Sequence, residues 1–139
     1  MAGWRRKALE LLPERARMLK SSGGVHAVFA ELLHDLEHTY RQPVPDRAFI
    51  DRVYRFAAWC FAPRQNAYLR NAVAVSFYEH LPAFGPARSD LAREFTPAMW
   101  TELQPLLYQM LPPGDYEAFA AEIRALGHDR KTQASSRGI

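Results

Sequence analysis

The chain holds one cysteine, Cys60, in 139 residues. No internal disulfide can form, so packing alone must hold the fold, and a reducing, cytoplasmic setting is expected. Long apolar runs are also missing. None approaches the roughly 20 residues that span a bilayer, so no membrane span is expected. The opening stretch MAGWRRKALELLPERARMLK is basic but has no continuous apolar segment of the secretory kind. Glu10 and Glu14 also break the acid-poor character of a transit peptide. Phosphate-loop and redox signatures are absent: there is no Cys-x-x-Cys pair, and Ser21-Ser22-Gly23-Gly24 has neither the lysine nor the preceding strand of a nucleotide site. No segment alternates apolar and polar residues convincingly, which excludes a sheet.

What is there suits a helical core. Hydrophobic residues make up 48% of the chain and aromatics 12%, unlike a disordered sequence. The length fits one domain burying roughly two thirds of its unfolded surface. The net charge of +3 is unevenly spread. Residues 1–20 carry six basic side chains (Arg5, Arg6, Lys7, Arg15, Arg17, Lys20) against two glutamates, a net of +4. Residues 21–127 carry nine arginines against twelve acids, a net of −3, and the tail from His128 carries three against one, a net of +2. The body is mildly acidic and the basic excess sits at the ends. Weak, salt-sensitive nucleic-acid contact through those ends is therefore one reading, though nucleic acid is not the expected partner.

Apolar spacing places the helices. Trp4, Ala8, Leu11, Leu12 and Leu19 mark a first helix over Trp4–Lys20, which Pro13 divides. This basic segment is expected to be loosely attached. Val25, Val28, Phe29, Leu32, Leu33, Leu36 and Tyr40 mark a second, ended by Pro43-Val44-Pro45. Asp46 is placed to cap a third, whose inward side is Phe49, Val53, Phe56, Ala57 and Cys60. Pro86 opens a short helix through Phe95. Thr96-Pro97 opens another that Pro105 interrupts or kinks, with Met99, Leu103, Leu106, Leu107 and Met110 as its apolar set. A last helix carries Tyr116, Phe119, Ala120, Ile123 and Leu126, with Gly127 as its C′ residue. Residues 128–139 are expected to be a disordered basic tail. The expected fold is all-α, a compact single domain over 1–127 with six to eight short helices around one buried central helix.

That central helix is Leu69–Leu81, LRNAVAVSFYEHL. At 100° per residue its apolar side chains fall on every side, with Leu69, Val73 and Phe77 opposite Val75 and Tyr78, so burial all round is expected. Its polar residues then need partners inside the fold. Arg70, Asn71, Glu79 and His80 are accordingly the candidate ligand-binding residues. Ser76 and His80 share a face, but lack the orienting acid of a nucleophilic triad, so backbone bonding by each is the expectation.

His34-Asp35-Leu36-Glu37-His38 matches the H-x-x-E-H spacing of inverted zinc proteases. Both histidines fall opposite the apolar stripe of their helix, and no helical third ligand stands out. No metal or other cofactor is expected, and His34 and His38 are the side chains that adventitious zinc or nickel would find. The third helix carries Arg52, Arg55 and Trp59 beside its buried stripe. Arg with Trp is the composition of binding hot spots, so these three are the candidate partner-binding residues. Trp4 and Trp100 belong at edges of the fold, and Cys60 on the buried stripe is expected to be inert.

The run FAAWCFAPRQNAYLRNAVAVSFYEHLP resembles small bacterial proteins of unassigned function that share a central helix of the L-R-N-A-V-x-V-x-F-Y-E-H-L type. The resemblance extends over residues 25–125 and implies an all-helical cytoplasmic fold, with no catalytic residues to carry over. The functional expectation is a protein-interaction module of regulatory, adaptor or toxin-neutralising type. The alternative is a small ligand-binding or enzymatic bundle built around the central helix. Enzymatic activity is not the expectation; oligomeric state and partner identity carry no sequence signal.

Overall fold

The computed structural model describes residues 2–137, with side chains as far as Gly127. Among the described residues there are eight α-helices and no strand. No described helix is long and apolar enough to cross a membrane. The chain divides into two compact units, Met1–His80 and Leu81–Ile139. The single domain expected over 1–127 becomes a question for unfolding measurements.

The first unit begins with α1 (Gly3–Leu11), a 3-10 turn at Pro13–Arg15 and α2 (Ala16–Ser21). Pro13 makes this break, as its missing N–H and fixed φ require. Residues 1–20, expected to be loose, are tied down. α1 packs on α4 (Arg47–Phe61), and Ala8, Leu12 and Leu19 are buried. The Arg5 guanidinium donates to the Leu19 and Ser22 carbonyls, and Arg15 Nε meets Asp35 Oδ2 at 2.7 Å. Those two buried atoms have no hydrogen-bond partner elsewhere. α3 (Val25–Tyr40) buries Val25, Val28, Phe29, Leu32 and Leu36, the stripe that its spacing predicts. Asp46 caps α4 by accepting from the Phe49 N–H at 3.2 Å.

α5 (Ala67–Val73) starts at an Asn66 cap that accepts from the Leu69 N–H at 2.8 Å. It runs on as a π-helical turn, Ala74–Tyr78, in which the Glu79 N–H donates to the Ala74 carbonyl five residues back. The turn inserts one residue into the helix and moves the buried stripe by one position. Leu69, Ala72 and Val73 point inward before it, and Phe77, Tyr78 and Leu81 after it. Burial on every side is thus corrected. Asn71 and His80 are exposed, and Arg70, Val75, Ser76 and Glu79 are half-buried. Phe77 is the hub of the core, 5.5 Å from the Phe29 ring and 5.6 Å from that of Tyr78. Phe29 stacks on Phe56 at 5.3 Å. Each such ring contributes about 1.5–3 kcal/mol by leaving water.

The second unit contains a 3-10 turn at Leu81–Ala83, then α6 (Gly85–Glu94), α7 (Pro97–Met110) and α8 (Pro113–Arg137). α6 lies on α8, where Phe95 meets Phe119 edge to face at 5.4 Å. Arg88 bonds the Pro82 carbonyl and Asp115, both at 2.9 Å. Thr96 caps α7 through the Met99 N–H at 3.1 Å, with Pro97 at the first helical position. Pro105 does not interrupt α7, which is helical on both sides of it. α8 corrects a second expectation: it continues past Gly127, and no described glycine has a positive φ, so Gly127 is not a C′ residue. The side chains expected in a disordered tail, 128–139, lie outside the described residues.

Candidate interaction face

α7 is a helix of fourteen residues that buries only Leu103 and Leu107. Its remaining apolar side chains outnumber what the rest of the unit covers. Met99, Trp100 and Leu106 are half-buried, while Tyr108 is 70% and Met110 50% exposed. Met110, expected in the apolar set, lies on the outside instead, at the last turn of the helix. These side chains are organised. Trp100 stacks on Tyr116 at 6.2 Å and stands edge-on to Phe119 at 5.8 Å. Tyr108 stands edge-on to Tyr116 at 5.2 Å, and the Tyr116 hydroxyl accepts from Gln104 Nε2 at 3.2 Å. An aromatic row therefore climbs from the buried Phe119 to the exposed Tyr108.

Two hollows flank the row. One of about 490 Å³ is lined by Tyr108, Gln109, Leu111, Pro113, Tyr116 and Glu117. Another of about 230 Å³ lies where Phe95, Pro97 and Trp100 face Ile123 and Leu126. The smaller hollow is largely aromatic and aliphatic, while the larger is about half polar, with Gln109 and the Glu117 carboxylate in its wall. Residues 81–127 carry three arginines against six acids, a net of −3. Arg88 and Arg93 are already paired with Asp115 and Asp90. The sequence signal for this face is the excess of apolar perimeter on α7, with Trp100 at the border of its main stripe and Tyr108 outside it.

The residues expected to contact a partner, Arg52, Arg55 and Trp59, are spaced to share one side of α4, where two of the three are engaged within the fold. Arg52 Nη1 donates to Glu14 Oε1 at 2.7 Å and to the Leu11 carbonyl at 2.9 Å, so it ties α4 to the end of α1. Arg55 is exposed. Trp59 is half-buried and lies under Arg64, whose guanidinium carbon is 5.8 Å from the ring centre. Trp59 also lines a shallow cleft with Gly3, Arg6, Lys7 and Glu10.

The four central-helix candidates are dispersed. Arg70 Nε donates to the Phe61 carbonyl at 3.0 Å, and the guanidinium covers the Phe61 ring at 4.4 Å. It secures the α4–α5 corner. Asn71 and His80 face outward and Glu79 is half-buried. His34 and His38 are exposed, and His38 Nε2 lies 3.2 Å from Gln42 Nε2. Among the described residues, no three His, Cys, Asp or Glu side chains are placed to share a metal ion. Cys60 is fully buried, and desolvation pushes its thiol pKa far up, which keeps it protonated.

One contact was invisible in the sequence. Ser76, expected to bond back to a backbone carbonyl, has its hydroxyl on another helix's side chain instead. Its Oγ meets His26 Nδ1 at 2.6 Å, across fifty positions of chain, and the exposed Tyr68 ring stands edge-on to that imidazole at 5.8 Å. No local spacing links such distant residues, so only the packing of α3 against the π turn reveals the pair.

Comparison of the chain with protein-family models, with curated proteins and with solved structures finds no match.

Proposed function

We propose that the protein is a protein-interaction module whose contact face is the outer side of α7 with the start of α8, and that it receives a basic segment carrying an apolar anchor. The observation that carries the reading is the aromatic row ending in the exposed Tyr108, on a helix that buries only two of its side chains and also leaves Met110 half exposed at its last turn. Aromatic rings give large contact area at little entropic cost and are enriched at binding hot spots. Methionine adapts to a partner's shape. The acidic balance of residues 81–127 and the Glu117 carboxylate favour a partner of opposite charge.

The engagement of basic side chains in the first unit supports this ranking over nucleic acid. Of the six in residues 1–20, Arg5 bonds backbone carbonyls, Lys7 pairs with Glu10 and Arg15 pairs with Asp35. That leaves a thin electrostatic footprint at this end of the chain.

The test compares the intact chain with a Tyr108→Ser/Met110→Ser variant and with Arg55→Ala. A partner captured by the intact chain is purified and titrated against all three. Affinity is expected to fall at least about tenfold in the double variant, roughly the loss of one hot-spot contact, and to stay unchanged in Arg55→Ala. An affinity indifferent to Tyr108 and Met110 would overturn the reading, and a loss confined to Arg55→Ala would move the contact face to α4.

A further inference from the structure

We propose that Ser76 is a reactive serine, activated by His26, that accepts an acyl group from activated esters or thioesters. The geometry is that of a nucleophile and its base. Ser76 Oγ and His26 Nδ1 are 2.6 Å apart, within hydrogen-bond reach for direct proton transfer. With the imidazole proton on Nε2, the hydroxyl donates to Nδ1, which is the arrangement a base requires. Ser76 is half-buried and His26 exposed, so an acyl donor can approach the pair.

Three features of the fold produce the arrangement. The π turn rotates Ser76 off the register it would hold in a continuous α-helix and presents it beside the N-terminus of α3; single π turns of this kind recur at functional sites. The Tyr68 ring flanks the imidazole edge-on at 5.8 Å. His26 is the second residue of α3, and Gly24 provides no side-chain cap for that helix end. The N–H groups that a helix leaves without intrahelical partners in its first turn thus belong to the same helix end as the base, and the proposal assigns them the oxyanion.

The step balances within the pair and its substrate. Ser76 Oγ attacks the carbonyl carbon while its proton passes to His26 Nδ1. The tetrahedral intermediate collapses with cleavage of the bond to the leaving oxygen or sulfur, and the leaving group departs with the proton returned by His26. The product is an ester on Ser76 and a free alcohol, phenol or thiol. No oxidant, metal or cofactor takes part.

The experiment uses 4-nitrophenyl acetate with the full chain and follows acetylation of each peptide by mass spectrometry. The Ser76 peptide is expected to acquire one acetyl group, and Ser76→Ala to lose that label alone while lysine labelling persists. His26→Gln is expected to slow Ser76 acetylation on the order of 10²-fold, the usual contribution of a positioned base. Helical circular dichroism of each variant separates a lost base from a lost fold. Acetyl groups found only on lysines or the N-terminus, or a Ser76 rate indifferent to His26→Gln in a folded variant, overturn the proposal.

Discussion

Arg52 holds the end of α1 through two bonds from one nitrogen: Nη1 lies 2.9 Å from the Leu11 carbonyl and 2.7 Å from Glu14 Oε1. The last carbonyls of a helix have no intrahelical partner, and a cation there also complements the helix dipole. The hydrogen bond from Arg52 holds the Glu14 carboxyl below its ordinary value of 4.5, against a smaller opposing effect of burial. Glu14 is half-exposed, so the ion pair itself contributes under about 1 kcal/mol.

Arg52→Ala is expected to cost about 1–2 kcal/mol in urea unfolding, since it removes the carbonyl bond as well as the ion pair. Glu14→Gln should cost less, because the Leu11 bond survives. Equal losses would show that the carbonyl bond contributes nothing. The pH dependence follows from the sign of the shift. A carboxyl with a lowered folded-state pKa contributes its stability fully above its unfolded value near 4.5 and loses it as pH falls through the folded value. The stability difference between the intact chain and Glu14→Gln should therefore be present at neutral pH and shrink below about pH 4.5.

How far the sequence reaches depends on whether a feature is local. Caps and breaks are local, and Pro13, Asp46, Thr96 and Pro97 stand in the roles that their chemistry predicts. The stripe of α3 is legible for the same reason. The central helix misleads because the wheel assumes one repeat throughout. The extra residue of the π turn brings Tyr78 and Leu81 inward and turns His80 out, so a helix read as apolar all round has an exposed edge. His26 with Ser76 and Arg52 with Leu11 join residues far apart in the chain and have no signature in spacing. Arg64, not Arg52 or Arg55, covers Trp59, because the corner after α4 brings it over the ring.

The Asn66 cap offers a test of local chemistry. Its side chain accepts from the Leu69 N–H at 2.8 Å. Asn66→Ala is expected to cost about 1 kcal/mol, whereas Asn66→Asp keeps the acceptor and adds a charge that favours the helix N-terminus. The two melting curves should separate, with the aspartate variant at or above the parent. An alanine variant as stable as the parent would show that solvent satisfies the Leu69 amide equally well.

Phe77 and Phe119 are fully buried, one in each compact unit. Replacing either with alanine is expected to cost about 3–5 kcal/mol through lost transfer energy and the cavity left behind. If the chain is one domain, as its length suggests, both variants shift the same cooperative transition, and calorimetry shows one peak. Two peaks, each moved by only one of the substitutions, would establish independent folding of the units.

Pro105 stands inside α7, exposed, with helix on both sides. It supplies no N–H for the carbonyl one turn back, and its ring crowds that turn, a cost of roughly 3 kcal/mol relative to alanine in an ideal helix interior. Part is recovered because proline also restricts the unfolded chain. Pro105→Ala should therefore stabilise the protein by about 1–2 kcal/mol, read as a higher urea midpoint. Because Tyr108 and Met110 follow within the next turn and a half, the same substitution tests whether the proline shapes the proposed contact face. If that face is shaped by the proline, affinity for a partner falls even as stability rises. A gain in stability with unchanged affinity would show that the aromatic row alone sets the surface.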